Sequence, residues 1–301
     1  MIFYSPDYNA SEHDFDTVRK ADLVAGKIRQ GFGQLVELEA PTSATAEQLT
    51  AVHSANYVGA VATGAPKSLA ESQGFPWDQQ LFKAAASSTG GVVDAALHAL
   101  HSGHHSGSLS SGLHHARFEH GAGFCTFNGL ALASLEVARQ GGRTLILDLD
   151  AHCGGGTAEL ISGSLLGSVR QLDVSVVPFD SYTNTANAEL HLAEADDYLA
   201  VIEGVLSSAD TDGVDLVLYN AGMDPHEQAG GIRGIDTDML AERERMVWQW
   251  AEANGLPTAF VLAGGYEGFD FTLEDVADLH MLTVDEYVLA EFFSTELAEV
   301  S

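Results

Sequence analysis

Short apolar runs alternate with amphipathic segments along the chain, the order expected of strands joined by helical crossovers in a parallel sheet. Strands are predicted over 144–149 (TLILDL), 172–177 (LDVSVV), 214–219 (VDLVLY) and 258–262 (TAFVL). Helices are predicted over 80–101, 128–140, 195–207 and 237–254, where apolar residues recur at three- and four-residue spacing. No repeat of fixed period appears and no low-complexity tract is long enough to act as a linker. The pattern predicts one α/β domain over 1–301.

The unusual polar residues follow the strands. The first run leads into Asp150-Ala151-His152-Cys153-Gly154-Gly155-Gly156-Thr157, the third into Asn220-Ala221-Gly222-Met223-Asp224-Pro225-His226-Glu227, and the last into Ala263-Gly264-Gly265-Tyr266. In open α/β sheets ligands gather beyond the carboxyl ends of strands, and glycine lets such loops pack tightly around an ion or substrate. Asp148, Asp150 and His152 alternate, and alternate residues of an extended chain share one face. A carboxylate and an imidazole there could ligate one ion, and a mixed set of this kind suits zinc, iron or manganese. The competing reading is that the two aspartates cap a turn and His152 packs locally. A second feature is the pair His114-His115; two adjacent imidazoles beside an activated water could divide proton removal from proton donation. The cluster His98, His101, His104 and His105 reads more simply as a helix end, where protonatable groups are favoured. His53 has a structural reading as good as a functional one.

Composition narrows the partners. Asp and Glu number 43 against 13 Lys and Arg, a net charge of −30, and after Arg245 there is no basic residue except His280. Phosphate backbones and anionic membranes are bound through Lys and Arg, so the sequence predicts neither a nucleic-acid nor a membrane partner. The field would attract cationic ligands and suit a saline or halophilic habitat. Cys125 and Cys153 are too few for a disulfide framework, and neither a leader-like start nor a span of about 20 apolar residues is seen, so a cytoplasmic location is expected. Met239, Met246, Trp248 and Trp250 are expected in the core or an interface, and self-association is left open.

Taken in order, these motifs resemble those of the zinc-dependent histone deacetylase superfamily, which also holds acetylpolyamine amidohydrolases and shares the arginase-deacetylase fold. Leu113-His114-His115-Ala116 is similar to the family's Gly-His-His-Ala, and Gly123-Phe124-Cys125-Thr126-Phe127-Asn128 to its Gly-Phe-Cys-x-Phe-Asn. The stretch Asp148 to Thr157 resembles Asp-x-Asp-x-His-His-Gly-Asn-Gly-Thr, and Ala221-Gly222-Met223-Asp224 and Gly264-Gly265-Tyr266 match two later signatures. The resemblance implies a three-layer architecture, a mostly parallel sheet with helices on both faces. It implies a hydrolase that uses metal-activated water to remove an acyl group, acetyl above all, from a small-molecule or peptide amine such as a polyamine or acyl-lysine. Asp150 and His152 would ligate one Zn2+ per chain, with Fe2+ or Mn2+ as alternatives, and K+ would sit around Asp148, Asp150 and Ser175. Asp148 would orient His114, His115 would take the proton from water, His114 would assist electrostatically or as acid, and Tyr266 would hydrogen-bond the carbonyl oxygen. Gly123, Phe124 and Gly265 would contact the acylated chain.

Three departures bear on that implication. The third-ligand loop, Asp224 to Gly231, is two residues shorter than the family's, so alignment nominates either Asp224 or Glu227, with His226 a third option. Cys153 and Gly155 replace the His and the Asn or Asp that follow the zinc ligand, which predicts that His115 lacks its usual orienting partner and is a weaker base. The segment after Val177 is short, and Phe179 or Tyr182 would have to supply the missing channel aromatic. Two rival readings remain: a non-catalytic binder of acylated ligands, and an arginase-type ureohydrolase, which needs further carboxylates where Cys153 and Gly154 stand.

Overall fold

The computed structural model describes residues 1–13, 16–163 and 167–298; the rest of the single domain expected over 1–301 lies outside the described residues. Eight strands form one sheet: β1 (Ile2–Phe3), β2 (Leu38–Glu39), β3 (Ser106–Ser108), β4 (Thr144–Asp148), β5 (Val169–Ser175), β6 (Ala188–Leu192), β7 (Leu216–Ala221) and β8 (Thr258–Leu262). Their order is β2-β1-β3-β8-β7-β4-β5-β6, and every pairing is parallel. From β4 the chain moves outward through β5 and β6, then returns to place β7 on the other side of β4. The crevice at such a reversal is where open α/β sheets bind ligands.

Both faces of the sheet are covered. Leu145, Leu147, Val217, Tyr219, Phe260 and Leu262 pack on one face with α1 (Asp16–Gly31), α8 (Tyr198–Ser208), α9 (Thr237–Ala253) and α10 (Leu273–Ala298). Ile146, Leu216, Leu218, Ala259 and Val261 pack on the other with α3 (Ala55–Thr63), α5 (Leu81–Ser102) and α6 (Gly129–Arg139). Burial on both faces is why the central strands are continuous apolar runs rather than alternating ones. This is the three-layer fold the sequence implied. Two short helices, α2 (Ala46–Leu49) and α4 (Lys67–Ala70), and α7 (Gly155–Gly163) complete the set.

The expected helices match α5, α6, α8 and α9, and β8 falls on its expected bounds. β5 begins and ends earlier than expected, and β7 begins and ends later, continuing through Asn220, a buried polar residue that bonds Asp148 in the site. The strands β1, β2 and β3 are too short to show a period. In β3 a Cβ on Gly107 would lie 2.2 Å from the Phe260 ring, so close packing against β8 requires a residue that looks like a turn in sequence.

Two buried groups pin the loops that carry the chemistry. Arg243 of α9, fully buried, donates from Nη1 to the carbonyls of Gly222 at 2.6 Å and Leu149 at 3.3 Å, the backbone beside Asp224 and Asp150. Its charge is met by Glu244 at 2.5 Å, which also accepts from Tyr219 Oη at 2.6 Å. His53 is enclosed against Tyr57 and Phe127. Its Nδ1 donates to the Arg117 carbonyl at 2.8 Å and its Nε2 accepts from Asn128 N at 3.0 Å, so it bridges both ends of the segment that follows His114 and His115.

Replacing Arg243 with Met leaves Glu244 buried without a counter-charge. Urea unfolding should show a loss of about 3–5 kcal/mol, partly restored by adding Glu244→Gln; unchanged stability in the single variant would contradict the pinning role. Burial lowers the His53 pKa to about 4 despite the hydrogen bond to Arg117. The unfolded chain therefore binds a proton that the fold refuses, and stability drains away as pH falls from about 6.5 toward 4, by up to about 3 kcal/mol. The stability gap between the wild type and His53→Gln should narrow between pH 7 and pH 4.5, and a constant gap would count against it.

Candidate metal and hydrolytic site

β4 and β7 are hydrogen-bonded neighbours, and their register sets Asp148 opposite Asn220. The two chains continue past the sheet edge side by side, which brings Asp150 and His152 to Asp224. His152 Nδ1 lies 3.2 Å from Asp150 Oδ1 and 3.0 Å from Asp224 Oδ2, and one ligating atom from each residue falls within 4.8 Å of the others. Both carboxylates are buried. Each is held through its second oxygen: Asp150 Oδ2 accepts from Gly264 N at 2.8 Å and Asp224 Oδ1 from Ala151 N at 2.9 Å. Asp224 Oδ2, by contrast, takes no backbone N–H and faces only His152. A Cβ on Gly264 would stand 2.1 Å from Asp224 Oδ2 and 2.6 Å from Asp150 Oδ2, so glycine there keeps the space between the carboxylates open. Two buried carboxylates and an imidazole nitrogen, one ligand atom from each, make a donor set that fits one divalent ion.

The loop that left the third ligand open separates its candidates. Asp224 joins the group. Glu227 is exposed and its Oε2 accepts from Gly234 N at 3.0 Å. His226 stacks on Phe271 and pairs with Thr237 Oγ1 at 3.2 Å. Among the described residues one such group of ligand-type side chains is found.

The histidine pair lies against this group. His114 Nδ1 is 2.8 Å from Asp148 Oδ2, and Asp148 is itself fixed by Asn220 Nδ2 at 2.8 Å. Asn220 thus holds the carboxylate that holds His114, a link the sequence reading did not assign. His114 Nε2 faces His115 Nε2 at 3.1 Å. Burial opposes a charge on His114, but Asp148 and Asp150 outweigh it and push its pKa up to about 10. Burial and the neighbouring His114 charge together lower His115 to about 4. The two imidazoles are thus pulled in opposite directions, His114 toward its charged form and His115 toward its neutral one, with their Nε2 atoms at hydrogen-bond distance. The same accounting holds at His152, where burial is outweighed by hydrogen bonds to Asp150 and Asp224 that push its pKa up to about 11.

His115 does not lack an orienting partner. Its Nδ1 lies 2.9 Å from Asp180 Oδ2, on the short segment after β5. The expectation of a missing partner fails because the carboxylate arrives from elsewhere in the chain than the segment where it was sought.

Around these groups are two spaces that share His115, Gly123 and Tyr266 as walls. A chamber of about 10 Å³, room for about one water molecule, is bounded by His114, His115, Asp150, Gly264 and Tyr266. Outside it a pocket of about 390 Å³ is lined by Gly123, Phe124, Val177, Phe179 and Tyr266. Gly123 has φ 50°, and a Cβ there would lie 2.4 Å from His115 Cδ2, so glycine permits the close approach. Phe124, at φ 63°, is tied through its N–H to the Gln73 carbonyl at 2.8 Å and stacks on Phe75. Of the two aromatics proposed for the short segment, Phe179 is at the pocket, edge-on to His115 at 5.0 Å between centroids; Tyr182 turns away, its hydroxyl donating to the Glu189 carbonyl at 3.2 Å. Gly265 is not on the pocket wall: the position of its absent Cβ faces His280 and Val276, each 3.1 Å away, behind Tyr266. Ser175 donates to Asp173 Oδ1 at 2.5 Å beneath the β4 end. The His cluster at the end of α5 is structural, His105 pairing with Glu252 at 2.6 Å and accepting from Thr258 N at 3.1 Å.

Comparison with known proteins agrees with this geometry. The family described as the histone deacetylase domain matches residues 13–281. An uncharacterized protein of Picosynechococcus sp. is 31% identical over 280 aligned residues, covering 88% of this chain and 91% of that protein. Histone deacetylase 2 of Arabidopsis thaliana is 26% identical over 289 residues, covering 88% and 74%. In fold, the crystal structure of an acetylpolyamine aminohydrolase from Burkholderia pseudomallei superposes with a TM-score of 0.77 at 16% identity, covering 96% of this chain and 98% of that one. The extent of the family match, which takes in the paired histidines, the ends of β4 and β7 and the tyrosine after β8, shows that this chain belongs to the histone deacetylase family of hydrolases.

Proposed function

We propose that the protein removes an acyl group, acetyl above all, from an amine, with one divalent ion held by Asp150, His152 and Asp224. The observation that carries this reading is the grouping of Asp150, His152 and Asp224 beside a water-sized chamber that Asp150 bounds together with the paired histidines and Tyr266. Zinc suits the donor set, and Fe2+ and Mn2+ accept the same ligands. Such an ion, when bound, acts as a Lewis acid and makes a water molecule acidic near neutrality.

The chain's own groups account for the rest. Neutral His115 accepts the proton of the attacking water. His114, fixed by Asp148 at Nδ1, steadies the negative charge that develops and can supply a proton to the departing amine. Tyr266, on the wall shared by chamber and pocket, donates its hydroxyl to the carbonyl oxygen as that atom gains charge. Phe124 and Phe179 flank the outer pocket and exclude water from the acyl-bearing arm. A cationic remainder of the substrate is favoured by the net charge of −30, which draws positive ligands toward the pocket mouth. Polyamine-like amines and acyl-lysine both meet that description. An arginase-type reading has less support, since one group of ligand-type side chains, not two, is found among the described residues.

Assay of the zinc-loaded protein on N-acetylated polyamines and acetyl-lysine peptides, with ion content measured in parallel, tests the reading. Tyr266→Phe and His115→Ala should each cost about 100-fold or more in kcat with the ion retained. Asp224→Asn should lose the ion, whereas Glu227→Gln should keep both ion and activity. An ion without turnover of any amide would favour a binding protein, and two ions with urea release would favour the ureohydrolase. For a cationic substrate, raising ionic strength from about 0.01 to 0.5 M should raise KM and leave kcat unchanged; a salt-independent KM would remove the electrostatic part of the proposal.

A further inference from the structure

The segment after His152 carries glycine at 155, and the structure shows what that glycine admits. A Cβ on Gly155 would lie 2.3 Å from the Asp180 carbonyl oxygen and 2.7 Å from its Oδ1, so the backbone after β5 occupies the space a side chain at 155 would need. Asp180 enters that space with φ 61°, a left-handed conformation that costs most residues energy and that aspartate tolerates better than most. The preceding residue is fastened, its carbonyl accepting from Cys153 N at 3.0 Å. Once there, the carboxylate is fully engaged. Oδ2 accepts from His115 Nδ1 at 2.9 Å and from Gly156 N at 3.2 Å. Oδ1 accepts from Arg117 Nη2, and Arg117 in turn reaches Glu159 of α7 at 2.5 Å. The Asp180 side chain is 9% exposed.

We infer that Asp180 is the positioning residue for His115, replacing from the β5 loop a carboxylate that the segment 152–157 does not supply. A neutral imidazole acts as a base through one nitrogen only if the other carries the hydrogen. A carboxylate can only accept, so Asp180 fixes the hydrogen on Nδ1 and leaves Nε2, the nitrogen that faces His114, without a hydrogen of its own. Gly156 N–H on the same oxygen sets the rotation of the carboxylate, and Arg117 keeps it charged and anchored. The two imidazoles are then held alike, His114 by Asp148 from β4 and His115 by Asp180 from the far side of β5. Gly155 and Asp180 work as a pair, because the loop reaches His115 only where no side chain stands at 155. This inference rests on the hydrolytic role proposed for His115.

The test uses Asp180→Gly and Asp180→Ala in the zinc-loaded protein. Glycine relaxes the left-handed backbone and alanine strains it, so the two variants share only the lost carboxylate. Both should lower kcat by about 10- to 100-fold, with KM within about 2-fold of wild type and ion content unchanged. In 15N-histidine-labelled protein, the His115 ring signal, assigned by its absence from His115→Ala, should show a protected Nδ1–H in the wild type that disappears in both variants. Wild-type kcat in either variant, or a retained Nδ1–H signal, overturns the inference. Should the wild type hydrolyse no acylated amine, the proposed function fails, and the Nδ1–H signal alone decides the role of Asp180.

Discussion

Asp150 and Asp224 are buried side by side at the carboxyl ends of adjacent strands, and two neighbouring carboxylates out of water repel each other unless a positive charge stands between them. The surrounding chain is arranged to hold them there. Backbone N–H groups of Ala151 and Gly264 take one oxygen of each, leaving the other oxygen turned inward. Gly264 contributes no side chain to fill the gap, and His152 completes the rim. Behind the pair, Arg243 fixes the carbonyls of Leu149 and Gly222, so the two strand ends cannot splay apart to relieve the repulsion. The fold stores the demand for a cation at one point, and the reacting groups are set around it.

The topology explains why that point lies where it does. The chain leaves β4 in one direction and comes back on its other side as β7, so the β4 and β7 loops are adjacent in space and more than 70 residues apart in sequence, as the bond from Ala151 to Asp224 shows. Residues from the β8 loop close the same cleft, and the segment after α5 lays the histidine pair across it. Two residues at or beside the outer pocket, Phe124 and Asp180, hold left-handed backbone conformations.

Much of this was legible in the sequence, and the reasons are physical. Central strands buried on both faces stand out as apolar runs, and the polar residues that follow them are conspicuous because nothing in a core requires them. The short strands β1, β2 and β3 were not legible, since two or three residues carry no period, and the small residues Ser106-Gly107-Ser108 show no apolar run although they lie against Phe260. The choice between Asp224 and Glu227 depends on how a shortened loop folds: His226, between them, is drawn off to Phe271, and Glu227 turns outward to Gly234. Asp180 lies 65 residues from His115 and in no motif shared with it. The one sequence signal was indirect, a glycine at 155 where a carboxylate or amide was expected, and an absence of that kind shows a gap without saying what fills it.

The most direct measurement is anomalous X-ray diffraction at the zinc absorption edge from crystals of the zinc-loaded protein. The account predicts a single strong peak within about 2.0–2.2 Å of a carboxylate oxygen from each of Asp150 and Asp224 and of His152 Nδ1. A peak bound instead by Glu227 or His226, or no peak between the two buried carboxylates, would contradict it.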